Sequence, residues 1–287
     1  MVPYPFIFGS WPNRVKPKEG SERLHMKASR SLYAWLFVTG IVLGPPLLMA
    51  FDVKHRLYWG ILGLLSNGLL FYSAVRSNCT WFGPVVTRFA TERKDVWLTI
   101  DDGPDPHDTP KLLELLERHD AKATFFVIGD RVRLYPELAR KVLAAGHQLA
   151  NHSGTHPAAT FWCLPESSLA HQVDNGRRAI FENTGQSWSY FRAPAGMANI
   201  FLHLVLRRRS LKLIGWSARG YDGIRKEPDL IVADILRSVR PGTIILVHEG
   251  KRDRHGNPLN LAVIEALLLR LKSSGYSFTV PSEDRLR

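Results

Sequence analysis

Two adjacent carboxylates, Asp101 and Asp102, close an apolar run in the stretch LTIDDGPDP at residues 98–106. Like charges in contact raise each other's free energy unless a cation or a proton is shared between them. A second cluster, NHSGTH at 151–156, sets His152 and His156 four residues apart, so a helical turn or tight loop can aim both imidazoles at one ion. Two imidazoles and one carboxylate make a ligand set that leaves coordination positions for water and substrate. With Asp102 as the carboxylate ligand, Asp101 stays ionised beside the ion, placed to take a proton from an activated water. The cation expected is Zn²⁺, with Co²⁺, Fe²⁺ or Mn²⁺ as alternatives.

Two further clusters carry matching chemistry. In FRAPAG, residues 191–196, Arg192 can hold a carboxylate such as Asp101 through a charge-assisted bond. The proline-glycine turn that follows can offer backbone N–H groups to an oxyanion. In IILVHEG, residues 244–250, a buried-looking run delivers His248 to its end, where it can protonate a leaving amine, and Asp222 of GYDG can orient it or raise its pKa. Each cluster alone has a plain structural explanation: a solvated turn, a core histidine, a surface-loop arginine. Four polar clusters at successive strand ends do not.

The elements that must position these residues begin near Glu92. Strand-like runs fall at Val96–Ile100, Ala123–Ile128, Gln148–Ala150, Trp188–Phe191, Lys212–Trp216, Thr243–Val247 and Ser277–Val280. Helix-like segments lie between them at Thr109–His119, Pro136–Ala145, Glu166–Asn183, Ile200–Arg208, Pro228–Ser238 and Leu259–Ser274. Thr109 before Pro110 reads as an N-cap. Such alternation predicts a parallel sheet or a β/α barrel, with its site at the strand ends.

The first third reads differently. Of the 287 residues, 1–92 carry ten Lys and Arg against four Asp and Glu, so half of the net charge of +12 sits there. Arg14, Lys16, Lys18, Arg23, Lys27 and Arg30 precede two uncharged stretches, Ser31–Phe51 and Leu57–Val75, each long enough to span a bilayer. The spacing predicts a transmembrane hairpin with both ends in the cytoplasm, in a bacterial-type inner membrane. The Gly44-Pro45-Pro46 step leaves a re-entrant first segment as an alternative, and Gly40-x-x-x-Gly44 suits close packing of the two helices. The domain plan is a basic segment at 1–30, a membrane hairpin at 31–78, a linker at 79–92 and a catalytic domain at 93–287. No motif for nucleic acid accompanies the basic run, which excludes that class of partner. Cys79 and Cys163 form no metal motif.

These clusters match a known pattern. TIDDG resembles the T-F-D-D-G motif of the polysaccharide deacetylases, the NodB-homology family of carbohydrate esterases. HSGTH, RAPAG and ILVH resemble the family's later motifs, in the same order, from Val96 to the C-terminus. The resemblance implies a distorted (β/α) barrel that removes N-acetyl groups from amino sugars with a divalent metal. It implies Asp101 as base, Asp102, His152 and His156 as metal ligands, and Arg192 as the residue that positions the base. It further implies His248 as acid, Asp222 as its partner and the Ala195 N–H as oxyanion donor. Two positions depart from the family: Gly223 stands where a tryptophan is usual and Arg219 where an acid is often found. Arg219, Trp162 and Tyr221 are the candidate substrate contacts. The substrate expected is a lipid-linked or cell-envelope amino sugar. A non-sugar amide hydrolase and an inactive glycan-binding module are the competing classes.

Overall fold

The computed structural model describes residues 21–286, with side chains from Trp35 onward. Most of the expected basic segment at 1–30 therefore lies outside the described residues. The chain divides into two compact units, residues 1–67 and 68–287.

In the first unit the apolar run expected to begin at Ser31 belongs to a longer helix, α1 (Ser21–Phe51), which continues through Pro45 and Pro46. A short 3₁₀ turn, Val53–His55, leads into α2 (Arg56–Val75). The two helices run antiparallel: Asn67 Nδ2 donates to the Ile41 carbonyl at 3.3 Å and Arg56 Nε to the Met49 carbonyl at 3.1 Å. The close approach uses glycines of α2 and not the Gly40/Gly44 pair. A Cβ on Gly63 would lie 2.8 Å from the Pro45 side chain, whereas Gly40 and Gly44 have open space beside them. Among the described residues one segment, Val53–Val75, is long and apolar enough to cross a membrane, and Trp35–Phe51 is a shorter apolar helix.

The second unit is built on β1 (Asp95–Gly103), whose side chains are nearly all buried because parallel strands are covered on both faces. Parallel partners follow in chain order: β2 (Ala123–Val127), β3 (Gln148–Asn151), β4 (Tyr190–Phe191), β5 (Lys212–Leu213), β6 (Ala218–Arg219), β7 (Thr243–His248) and β8 (Ser277–Phe278). Their order is β5-β4-β3-β2-β1-β7-β6, with β8 added beside β1, and the sheet curls into a half-barrel. The connecting helices are α3 (Thr109–Arg118), α4 (Gly129–Leu134), α5 (Pro136–Ala144), α6 (Glu166–Thr184), α7 (Ile200–Arg208), α8 (Pro228–Ser238) and α9 (Leu259–Ser273). Most sit where the sequence pattern puts them. Neither β6 nor α4 was expected, since two residues show no period and the six of α4 include a glycine and three charges. The helix expected from an N-cap at Thr109 instead takes Thr109 as its first residue, and the Thr109 hydroxyl turns to Glu249.

Strand alternation sorts the core into two layers. Val96, Leu98 and Ile100 of β1 pack outward with Ile245 and Val247 of β7 under the helices. Trp97 packs inward with Phe126, Ala150, Tyr190, Ile214, Trp216, Ile244 and Leu246. Because side chains of a strand alternate, continuing each inward column to the strand end predicts which residues meet there. After Trp97 come Thr99 and Asp101; after Ala150, His152; after Tyr190, Arg192; after Leu246, His248.

Candidate active site

Those four column ends meet. Asp101 and His248 are register partners across β1 and β7. Arg192, fully buried, donates from Nη1 to Asp101 Oδ1 at 2.6 Å and to Thr99 Oγ1 at 2.8 Å. Its other donors go to the carbonyls of Ile214 (3.2 Å) and Gly215 (2.8 Å), so the guanidinium is fixed on every side. Burial pulls the Arg192 pKa below the usual guanidinium value, opposed by the Asp101 carboxylate.

Asp102 requires a different device, because in a regular strand it would point outward with Ile100. The β1–β2 register slips between Asp101 and Gly103, and Asp102 adopts φ +71°. That bulge turns its carboxylate to the same side as Asp101. The neighbouring glycine is required too: a Cβ on Gly103 would sit 2.7 Å from Glu249 Oε1.

His152 and His156 stand on a loop, not a helix, with Ser153 at φ +71° and His156 at φ +57° aiming the rings together. Their centroids are 4.8 Å apart. His152 Nδ1 lies 2.9 Å from the Arg192 carbonyl, which can only accept, so Nδ1 carries the proton and Nε2 presents a lone pair. Asp102 Oδ1 is 3.6 Å from His152 Nε2 and 3.3 Å from His156 Nε2. The three donor atoms lie within 4.8 Å of one another, and Asp102 Oδ1 is buried with no hydrogen-bond partner among the described residues. Two neutral imidazoles and an orphaned carboxylate oxygen at this spacing fit a divalent cation. Burial would raise the Asp102 pKa, but the imidazoles around it, His152 first and then His248 and His156, hold it well below the usual carboxylate range. His156 is pushed down to about 4 by burial and by His152, which keeps it neutral and able to ligate.

His248 accepts no such neutrality. Asp222, 2% exposed, meets it twice: Oδ1 lies 2.9 Å from Nδ1, and Oδ2 takes the backbone N–H at 2.7 Å. Burial alone would lower this imidazole, yet the charge and hydrogen bond of Asp222, with Asp101 and Asp102, raise it to about 9. It therefore carries a proton at neutral pH.

The remaining expected residues divide. Ala195, exposed at φ +54° in the turn Pro194–Gly196, makes no N–H hydrogen bond among the described residues. Trp162, half-buried, packs edge-on against Phe71 at 5.0 Å and donates from its indole N–H to the Ala159 carbonyl. Arg219, the last residue of β6, and Tyr221, two residues beyond it, stack on each other, 4.2 Å from guanidinium carbon to ring centre. Sequence reasoning passed over Thr99, which helps fix Arg192, and Lys251, whose Nζ is 3.3 Å from Asp102 Oδ2. It also missed Glu249, 1% exposed, which accepts from Thr109 Oγ1 at 2.6 Å and from Asp105 N at 3.0 Å. Burial pushes the Glu249 pKa up to about 8. Inward alternation would have flagged Thr99; nothing in the letters marks Glu249 or Lys251.

The family model for polysaccharide deacetylases matches residues 89–212. A chitooligosaccharide deacetylase of Bradyrhizobium sp. (strain ANU 289) is 39% identical over 158 residues, covering 55% of this chain and 71% of that protein. A peptidoglycan-N-acetylglucosamine deacetylase of Bacillus cereus is 32% identical over 203 residues, covering 70% of this chain and 92% of the relative. Among solved structures, a mutant of a family 4 carbohydrate esterase (CE4) pseudoenzyme from Bacillus anthracis, with restored activity, superposes at TM-score 0.61 with 29% identity over 68% of each chain. Because a pseudoenzyme shares this fold, the fold alone does not decide activity; the side chains do.

Proposed function

The chain belongs to the polysaccharide deacetylase family, and from that membership we propose that it is a membrane-anchored, metal-dependent hydrolase that removes the N-acetyl group from an amino sugar. The observation that carries this reading is the convergence of Asp102, His152 and His156 within 4.8 Å, beside Asp101 bonded to Arg192 at 2.6 Å and a protonated His248. An inactive binding module has no use for an acid and a base held on either side of a cation site.

Asp102, His152 and His156 would hold the ion, Zn²⁺ first and Co²⁺, Fe²⁺ or Mn²⁺ as alternatives. When bound, it supplies Lewis-acid activation of the amide and of the attacking water. Asp101, held in place by Arg192, takes a proton from that water as the C–O bond forms. The Ala195 N–H donates to the developing oxyanion. His248 delivers its Nε2 proton to the nitrogen as the C–N bond breaks, while Asp222 supports the charge on the ring. Acetate and a free amino sugar leave.

The apolar helices support an anchor. A hairpin of α1 and α2 would place the catalytic domain on the cytoplasmic side of a bacterial-type inner membrane, near lipid-linked sugar intermediates. A reporter fused after Arg287 and active only outside the cytoplasm would overturn that orientation.

The test is acetate release by the full-length protein in detergent, against lipid-linked and polymeric N-acetylated sugars, with and without chelator. Asp101→Asn is expected to keep one equivalent of metal and lose turnover, whereas Asp102→Asn and His152→Ala lose the metal itself. Near-normal activity of Asp101→Asn would sink the base assignment. Acetate release from none of these sugars, with metal present, would sink the reading as a whole.

A further inference from the structure

We propose that Arg219 is the centre of an oxyanion subsite that receives a phosphoryl group carried by the amino-sugar substrate. The inference rests on the deacetylase reading and adds to it the charge class of the substrate.

Arg219 pairs in register with Leu246, an inward residue two positions before His248. At about 3.3 Å of rise per residue, it stands roughly 7 Å below the His248 layer on the neighbouring strand. Its guanidinium is 4.2 Å from the Tyr221 ring centre and 5.4 Å from that of Trp216. The Trp216 ring also lies 5.7 Å from the guanidinium of Arg192, the residue that holds Asp101. The Trp216 ring and the Arg192 guanidinium thus link Arg219 to the reacting carboxylate.

Stacking uses the faces of a guanidinium and leaves its edge N–H groups available. Arg219 has no hydrogen-bond or carboxylate partner among the described residues, unlike Arg192 or Arg209, each held by an aspartate. Tyr221 is kept at φ +60°, a conformation bulky residues rarely adopt, while its ring covers Arg219.

Beside this clamp lies a cavity of about 370 Å³ lined by Asn78, Ser217, Tyr221, Arg219 and Arg237, among others. The one carboxylate on its wall, Asp234, is already neutralised by Arg225 and Arg237, at 2.6 Å each. Two guanidiniums on the wall, Arg219 and Arg237, against one carboxylate that Arg225 also pairs leave the cavity positive. A planar fork with unpaired edges in a positive, half-enclosed space matches two oxygens of a phosphoryl group in a bidentate arrangement. A neutral glycan would gain nothing from that charge.

The test reads binding rather than turnover, in the full-length Asp101→Asn protein in neutral detergent. Titration calorimetry compares N-acetylglucosamine 1-phosphate, N-acetylglucosamine and glycerol 1-phosphate. The sugar phosphate is expected to bind at least tenfold more tightly than the neutral sugar. Adding Arg219→Gln should erase that margin, and Arg219→Lys should keep part of it, with circular dichroism confirming that both variants fold. A margin that survives Arg219→Gln overturns the proposal. Glycerol 1-phosphate binding as tightly as the sugar phosphate also overturns it, because the cation would then read a lipid headgroup and not a substrate. Arg219-dependent binding in a chain whose parent releases no acetate would count against the deacetylase reading alone.

Discussion

Asp222→Asn removes the charge that sets the His248 proton. An amide oxygen can accept only one of the two N–H groups that Asp222 holds at 2.9 Å and 2.7 Å, and the negative charge is gone. With Asp222, His248 stands at about 9 against an ordinary 6.5. At pH 7.5 a group of pKa 9 is about 97% protonated. Without the charge, burial dominates, the pKa returns to 6.5 or below, and the protonated share falls to about 10% or less. Acid catalysis falls with it, so kcat/KM at pH 7.5 should drop at least about tenfold and the alkaline limb should move acidward by at least about 2.5 units. Activity should recover as the pH is lowered toward 6.

Stability carries the same signature. A raised imidazole pKa stabilises the fold fully below 6.5, and the contribution is lost as pH rises through about 9, an upper bound of about 3 kcal/mol across that window. The Asn variant should therefore lose more melting temperature at pH 6 than at pH 9.5. The assay is acetate release from pH 5.5 to 10 for both proteins at saturating metal. An alkaline limb that does not move, or a loss of equal size at every pH, refutes the idea that Asp222 governs this proton.

Two further substitutions probe the frame around the site. Arg192→Met leaves Asp101 buried and unpaired and two carbonyls without donors; breaking a buried pair costs about 3–5 kcal/mol, a fall in melting temperature on the order of 10 °C. Arg192→Lys should recover part of that stability but little activity, because an ammonium cannot serve Asp101, Thr99 and both carbonyls at once. Glu249→Gln should be close to neutral in melting temperature at pH 5, where Glu249 is protonated. It should gain on the wild type progressively as pH rises from about 4.5 to about 8 and level off beyond, because the unfolded carboxyl ionises across that window while the buried one stays protonated. A melting difference independent of pH would contradict that assignment.

Much of the site was legible because the sheet has period two. Asp101, His152, Arg192 and His248 are each the next inward residue of a strand whose preceding inward residues are apolar or hydroxylic, so four local patterns predicted one meeting point. Asp102 was legible only as a residue type: the bulge that turns it inward depends on register with β2, which no local pattern encodes. The loop that aims His152 and His156 was equally hidden, since positive φ at Ser153 and His156 is imposed by their surroundings. Trp162 was assigned to the substrate because an aromatic after a histidine motif looks available, and its packing against Phe71 involves a residue ninety positions earlier. Glu249 escaped because its meaning comes from Thr109 and Asp105, across the barrel end.

The two aspartates gain different roles from a single irregularity. Had β1 continued without its bulge, Asp101 would face Arg192 and Asp102 would point into the outer layer with Ile100, an ionised group among Leu98, Val247 and their neighbours. Burying a lone carboxylate there is prohibitive. The slip between Asp101 and Gly103 removes that cost and places the second carboxylate 3.3 Å from His156 Nε2, while Asp101 keeps its 2.6 Å bond to Arg192. Gly103 and Glu249 complete the device: the glycine lets the buried carboxyl approach, and that carboxyl holds the Asp105 N–H and the Thr109 hydroxyl of the loop beyond. Adjacent carboxylates at a strand end are thus stable here because the backbone separates their partners, His152, His156 and Lys251 for one and the Arg192 guanidinium for the other.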